Sequence, residues 1–167
     1  MTPVELVRDY PSRDETVVRR ATLADVDGIT ALVAEWAAES LLLPRSAGEI
    51  ARALDDFVVA TDVRGRVLAC AALREYSPSL AELTSVAVSR AAHGRGLGRL
   101  VVQAVEVLAR VRGHAAMFAH TLQPEFFAAL GYQSAERAWF PEKRARPHTL
   151  CVQRTLVADE RPFAVAA

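Results

Sequence analysis

The residues best suited to chemistry form the glycine-rich segment His93-Gly94-Arg95-Gly96-Leu97-Gly98-Arg99. This segment follows an apolar run typical of a strand and leads into a run with helical spacing. Backbone N–H groups would therefore converge at the positive end of a helix dipole. Glycine lets an anion approach those amides, because it has no Cβ and can adopt a positive φ. The segment predicts a site for phosphate.

Glycine-rich turns before helices also serve as tight connections, so the spacing alone does not select a ligand. A Walker loop would need Gly-Lys-Ser or Gly-Lys-Thr, and the sequence contains neither. A dinucleotide-binding fingerprint belongs in the first strand-helix-strand unit of a domain. Here, three strands are predicted before the strand that leads into the glycine-rich turn. Both of these phosphate-binding motifs are therefore disfavoured.

The elements that must position this turn alternate between helix and strand periodicity. A short strand over 17–21 precedes Thr22 and Asp25, which are spaced as a helix capping box, and Ser46 can cap a second helix. Further strands are predicted over 57–63, 66–76, 81–88, 115–120, 132–138 and 149–156, and further helices over 97–111 and 124–130. The predicted order is βααβββαβαββ.

The length of 167 residues predicts one domain over 17–156, with tails over 1–16 and 157–167. Twenty basic residues balance twenty acidic ones, which disfavours a strongly basic nucleic-acid surface, and 51% apolar residues exclude disorder as the main state. No apolar run reaches the roughly 18 residues of a membrane helix, and the N-terminus lacks a signal-peptide pattern. We expect a cytoplasmic protein without nucleic-acid or membrane partners, and a homodimer stays open.

Two cysteines, Cys70 and Cys151, each lie in an apolar run typical of a strand. Neither belongs to a Cys-x-x-Cys motif or a His/Cys cluster. We predict that both are buried thiols, and no metal site is expected.

Three segments in order carry a family resemblance: the strand Ala81-Glu82-Leu83-Thr84-Ser85-Val86-Ala87-Val88, the glycine-rich turn and, after the helix, Phe126-Phe127-Ala128-Ala129-Leu130-Gly131-Tyr132. Together they resemble the GNAT superfamily of acetyl-CoA-dependent N-acetyltransferases. The resemblance covers roughly 17–156. It implies a single α/β (α+β) domain with a mixed, mostly antiparallel, splayed sheet of about seven strands.

Within the superfamily, the segments 42–46, 124–127 and 140–143 are similar to the acetyltransferase domain of N-acetylglutamate synthases. This resemblance implies an acceptor such as the α-amine of glutamate or a related amino acid. Two alternatives stay open. The protein is a GNAT enzyme that acts on another small amine or a peptide, or it is a non-catalytic regulatory module that binds acyl-CoA.

The family resemblance implies that acetyl-CoA lies in the splay between the fourth and fifth strands, and it implies no metal. The pyrophosphate would bind the turn residues His93, Gly94, Arg95, Gly96, Leu97, Gly98 and Arg99, and the pantetheine would pair with the backbone of Val86, Ala87 and Val88. His93 stands where the family usually has Arg or Gln, and the backbone amides would still suffice. Phe127 would help to wall the thiol end.

The same resemblance assigns candidate catalytic residues. Glu82 lies where the histone-acetylating branch places its general base, and a carboxylate in an apolar strand is costly to bury unless water or a partner reaches it. The alternatives to a catalytic role are that Glu82 lies at an exposed strand end or forms an ion pair with an arginine. His120 ends a strand beside the cleft and either helps proton transfer or is structural. Phe127 stands where many relatives have a Tyr acid, so the thiolate's proton donor is unassigned.

Substrate binding is expected from Arg45, whose planar fork suits a carboxylate, although a solvated arginine is the alternative. Gln123 stands where some glutamate synthases have a basic residue, which weakens the assignment to glutamate. The basic residues Lys143, Arg144 and Arg146 form either a solvated loop or a contact to an acidic substrate.

Overall fold

The computed structural model describes residues 15–136 and 149–156. Its helices and strands follow the predicted order. They are β1 (Val17–Arg20), α1 (Val26–Ala37), α2 (Ala47–Arg52), β2 (Phe57–Thr61), β3 (Val67–Ser77), β4 (Leu80–Val88), α3 (Leu97–Val111), β5 (Ala116–Thr121), α4 (Pro124–Ala128), β6 (Gln133–Ala135) and β7 (Leu150–Thr155).

The seven strands form one sheet in the order β1-β2-β3-β4-β5-β7-β6. All neighbours are antiparallel except β4 and β5, which are parallel. The β4–β5 pairing comprises three residue pairs and ends at Glu82 and Phe118, although β4 continues to Val88 and β5 to Thr121. The two strands therefore separate beyond Glu82, which confirms the mostly antiparallel, splayed sheet.

A β-bulge interrupts β4 at the start of the splay. Cys70 and Ala72 of β3 pair with Ala87 and Thr84 of β4, so β4 contains one extra residue over this stretch. Ser85, inside the bulge, has φ of 52°, and its carbonyl accepts a hydrogen bond from the Cys70 thiol at 3.3 Å. Burial raises the pKa of that thiol to about 12, so it keeps its proton to donate.

Helices cover the two faces of the sheet unequally. The long helix α3 packs Val101 and Val105 against Leu83 and Met117 on one face. On the other face, α1 and α2 pack against Phe57, Val59, Cys70 and Ala72. Cys70 and Cys151 are both buried, as predicted.

Local signals in the sequence set most helix ends. The predicted capping box forms at Thr22–Asp25, and Ser46 caps α2 as predicted, in a capping box that Glu49 completes. The first opens a single 3-10 turn, Leu23–Asp25, and α1 begins only at Val26. Val111, the last residue of α3, is 61% exposed.

A buried polar cluster joins α3 to β7 and to the residues after α4. The carboxylate of Glu106 accepts two hydrogen bonds from Arg154, at 3.0 and 3.1 Å, and one from the Tyr132 hydroxyl at 3.1 Å. Burial and the Glu106 charge raise the pKa of Tyr132. Within the described residues, no helix is both long and apolar enough to cross a membrane.

Candidate active site

A cleft of about 940 Å³ opens where β4 and β5 separate. Its walls come from both strands, from the glycine-rich turn and from the loop between α1 and α2. The predicted site residues that line it are Arg45, Glu82, Val86, Ala87, Val88, His93, Gly94, Gly96, Leu97, Gly98, Arg99, His120, Gln123 and Phe127. Arg95 points elsewhere, and its guanidinium donates to the Thr16 hydroxyl at 3.3 Å.

The glycine-rich turn has the backbone conformation that a phosphate site requires. Gly94 and Gly96 have φ of 77° and 75°, and an added Cβ at either position would meet no atom within 4 Å. Their backbone angle, and not crowding, therefore requires glycine. The first intrahelical bond of α3 runs from Leu100 N–H to Gly96 C=O, so the preceding N–H groups can bind an anion.

Gly98 has a different reason to be glycine. Its φ is ordinary, but an added Cβ would come within 3.3 Å of Val88 Cγ2 and 3.4 Å of the Phe126 ring. The missing side chain lets the first turn of α3 approach β4 and α4 closely. Gly98 was predicted only as a cofactor contact, and the structure adds this packing role.

The end of β4 presents backbone to the cleft. Ser89 N–H donates to Leu68 C=O at 2.7 Å, so the adjacent pair Ala69 and Val88 is not hydrogen-bonded, and the polar groups of Val88 point away from β3. The Val88 carbonyl accepts the Trp36 indole N–H at 3.0 Å, and His93 Nε2 lies 3.2 Å from it. Because the Val88 carbonyl already has these partners, the N–H of Val88 is the backbone group left for the predicted ligand contact.

Trp36 connects α1 to this part of the cleft. Its indole stacks on the His93 ring with centroids 5.5 Å apart and an interplanar angle of 7°. The Arg90 guanidinium lies 4.3 Å from the Trp36 ring centroid and also pairs with Glu35 at 3.0 Å and with Glu39. Trp36 is not among the predicted site residues, because nothing in the sequence pattern identifies a partner for its N–H.

The end of the cleft that contains Glu82 lies on the sheet face that carries α1 and α2. Arg74 of β3 is directly opposite Glu82 of β4, and Phe118 of β5 is alongside Glu82. Directly paired residues share a face, and His120 follows Phe118 by two residues, so His120 is on this face as well. Glu82 is only 4% exposed, which rules out the exposed strand end.

Three arginines line the cleft, namely Arg45, Arg74 and Arg99. Within residues 15–136 and 149–156, none of the three has a carboxylate within 4.0 Å, whereas Arg19 and Arg154 each pair with one. The Arg45 guanidinium lies 5.3 Å from the Phe57 ring centroid. The cleft lining also contains the carboxylates of Glu49, Asp56 and Glu82, so an anion would bind these individual guanidinium groups and not a net positive charge of the cleft. Arg74 was missed, although an arginine at the end of the apolar run of β3 was a usable signal.

The remaining predicted site residues, Phe127 and Gln123, have no ionisable side chain, and the nearby Tyr132 hydroxyl is directed away from the cleft. Phe127 is buried, with its ring 5.1 Å from Phe126 and 5.2 Å from Tyr132. The Tyr132 hydroxyl is directed at Glu106, so it offers no proton at the cleft. Gln123 is exposed at the cleft, and its backbone N–H donates to the Thr121 hydroxyl at 2.8 Å.

The structure does not test the predicted roles of the basic segment near residue 143 or the expected absence of a metal. The segment 140–143, with Arg144 and Arg146, lies outside the described residues. No group of three or more metal-binding side chains occurs in the part of the chain that the structure describes.

Comparison with known proteins adds the family to this geometry. Residues 28–133 match the model of the acetyltransferase (GNAT) family. The chain belongs to this family. An uncharacterized N-acetyltransferase of Chlorobaculum tepidum is 37% identical over 146 residues, covering 87% of this chain and 93% of that protein. An amino-acid acetyltransferase of Mycobacterium tuberculosis is 35% identical over 130 residues, covering 77% of this chain and 74% of that protein.

Solved GNAT-like structures have the same fold. Rv2747 from Mycobacterium tuberculosis, in complex with CoA and NLQ, superimposes with a TM-score of 0.75 at 26% identity, covering 83% of this chain and 98% of that one. N-acetylglutamate synthase from Neisseria gonorrhoeae, complexed with coenzyme A and N-acetyl-glutamate, gives 0.74 at 24% identity, covering 84% of this chain and 35% of that one.

The protein is therefore a GNAT N-acetyltransferase with acetyl-CoA as its acetyl donor. Its own residues fit this cosubstrate. The left-handed glycines Gly94 and Gly96 leave the amides at the start of α3 open to a pyrophosphate. The splayed edge of β4 offers backbone to the amides of a pantetheine arm.

Proposed function

We propose that this acetyltransferase transfers the acetyl group to the α-amine of glutamate or a closely related acidic amino acid. The observation that carries the proposal is a buried carboxylate, Glu82, in the same cleft as arginines without a carboxylate partner among the described residues, Arg45 foremost. Such a cleft suits an acceptor that has one amine to activate and negative charge to bind. The likeness to an amino-acid acetyltransferase of Mycobacterium tuberculosis supports this acceptor class.

On this proposal, the two ends of the cleft have separate tasks. The N–H groups of Gly96, Leu97 and Gly98 bind pyrophosphate, and the N–H of Val88 binds the pantetheine arm. Acetyl-CoA supplies the thioester whose acetyl group is transferred. Phe127 walls the thiol end and excludes water from it.

Glu82 acts as the general base. The acceptor arrives as an ammonium ion and cannot attack until it has lost a proton, which the Glu82 carboxylate takes directly or through a water molecule. The neutral amine then forms a bond to the acetyl carbon while the carbon–sulfur bond breaks, and the sulfur leaves as a thiol after gaining a proton. N–H groups near Val86 stabilise negative charge on the acetyl oxygen. His120, on the same sheet face, assists proton transfer.

Release of free thiol from acetyl-CoA tests the acceptor. The screen covers the standard amino acids, polyamines, aminoglycosides and short peptides, each at the same concentration. Glutamate is expected to give the highest kcat/KM, with aspartate next. Thiol release with a polyamine or peptide, but with neither glutamate nor aspartate, would contradict the acceptor class and leave only the acetyltransferase activity.

A further inference from the structure

Two of the cleft arginines relate differently to the cross-strand row that contains Glu82: Arg74 belongs to that row, whereas Arg45 contacts the neighbouring row through Phe57. We infer that Arg74 binds the α-carboxylate of the acceptor and that Arg45 binds its side-chain carboxylate. The inference rests on the proposed function, because it takes the acceptor to be an acidic amino acid. It adds a specificity-determining residue, Arg74, and divides recognition of the two carboxylates between two elements.

Arg74 is the cation next to the base. In the β3–β4 register it is directly opposite Glu82, which puts the two Cβ atoms about 5 Å apart on one face of the sheet. The amine that Glu82 deprotonates and the α-carboxylate are attached to the same carbon atom. On this inference, the arginine in the same cross-strand row as the base is the one that binds the α-carboxylate. Arg74 is exposed to the cleft and has no ion pair within residues 15–136 and 149–156.

Arg45 contacts the cross-strand row next to that of Glu82. Its guanidinium sits over the Phe57 ring, and Phe57 belongs to the cross-strand row Phe57, Ala72 and Thr84. That row is two residues along β3 from Arg74, which is about 7 Å. An acceptor with its amine at Glu82 must therefore extend by several bonds to bring a second carboxylate to Arg45. The span suits glutamate better than the shorter aspartate.

Arginine suits both positions, because its planar fork can donate two parallel hydrogen bonds to one carboxylate. The contact of Arg45 with Phe57 restricts the guanidinium, so less side-chain freedom is lost when the acceptor binds.

The experiment compares glutamate with two of its amides, each of which neutralises one carboxylate at nearly constant size. Glutamine lacks the side-chain charge, and the α-amide of glutamate lacks the α-carboxylate charge. The kcat/KM values of the parent, Arg74→Gln and Arg45→Gln are measured by thiol release with all three acceptors. An amide too slow to follow as a substrate is measured as a competitive inhibitor of glutamate acetylation.

Arg74→Gln should lower kcat/KM by about 10- to 150-fold for glutamate and glutamine alike and leave the α-amide within about threefold of the parent. Arg45→Gln should lower it similarly for glutamate and the α-amide and spare glutamine. Arg64→Gln removes the same charge from the exposed β2–β3 turn, outside the cleft, and should change none of the three. Arg74→Lys should restore only part of the loss.

Three results overturn the assignment. An exchanged pattern, with Arg74→Gln sparing glutamine, would reverse the two tasks, and equal losses for all three acceptors would reduce Arg74 to a structural residue. An unchanged kcat/KM in Arg74→Gln would make it a solvated arginine. If the parent acetylates neither glutamate nor glutamine, the proposed function itself fails, which is a separate outcome because it is read without any variant.

Discussion

In the proposed function, the donor end of the cleft binds acetyl-CoA through backbone N–H groups of the turn 94–99 and of Val88, whereas the acceptor end uses the side chains of Arg45, Arg74 and Glu82, which line the cleft or pair across β3 and β4. The donor end depends on backbone angles and strand register, which few substitutions change without changing the fold locally. The acceptor end depends on side chains that can be exchanged on an intact sheet. The donor site is thus tied to the fold, and the acceptor site is free to vary.

The largest effect is expected from Gly96→Val. Valine is strained at a φ of 75°, by about 1 to 2 kcal/mol, and its side chain keeps a phosphate away from the amides of α3. The strain lowers stability, whereas the loss of two charge-assisted hydrogen bonds of about 1.5 to 3 kcal/mol each should weaken CoA binding by roughly 100-fold or more in calorimetry.

Gly65→Val is the matched control for this change. Gly65 has φ of 80° in the β2–β3 turn, and an added Cβ there also meets no atom within 4 Å. Both variants should lower the thermal unfolding temperature by a similar amount, and only Gly96→Val should lose CoA. Equal CoA binding by the two variants would show that the turn does not bind the phosphates.

The next effect concerns the acceptor end alone. Glu82→Gln keeps the size of the side chain and removes the base, so kcat should fall by about 100-fold or more while the CoA dissociation constant stays unchanged. Glu75→Gln, an exposed position on β3 outside the cleft, should match the parent. A Glu82→Gln enzyme with the parent's kcat would make Glu82 a structural residue.

The two ends of the cleft were also unequally predictable from the sequence. The turn lies within seven consecutive residues, and glycine spacing reports directly on backbone angles, so the turn and its positive φ angles could be predicted. The order of strands and helices followed from hydrophobic periodicity and capping residues for the same local reason. Glu82 and Arg45 were proposed through the family resemblance, since each is an ordinary charged residue in its local context.

What the sequence could not predict depends on register. Arg74 becomes a neighbour of Glu82 only through the β3–β4 pairing, which is not encoded at either residue alone. The bulge at Ser85 could not be predicted either, because a serine and not a glycine adopts the positive φ there. Likewise, the contact from the Trp36 indole to Val88 joins residues 52 positions apart.

The smallest effects should separate Trp36 from its stacking partner His93. Trp36→Phe keeps an aromatic ring between His93 and Arg90 but removes the N–H that bonds the Val88 carbonyl. A neutral hydrogen bond contributes about 0.5 to 1.5 kcal/mol, so the CoA dissociation constant should rise by roughly 2- to 12-fold as Val88 loses its fixed orientation. His93→Ala leaves the indole bond in place and should cost less than about twofold, because the amides of the turn bind the phosphates. A larger loss in His93→Ala than in Trp36→Phe would mean that the donor end uses a side chain after all. The contrast between its backbone site and the side-chain site around Glu82 would then weaken.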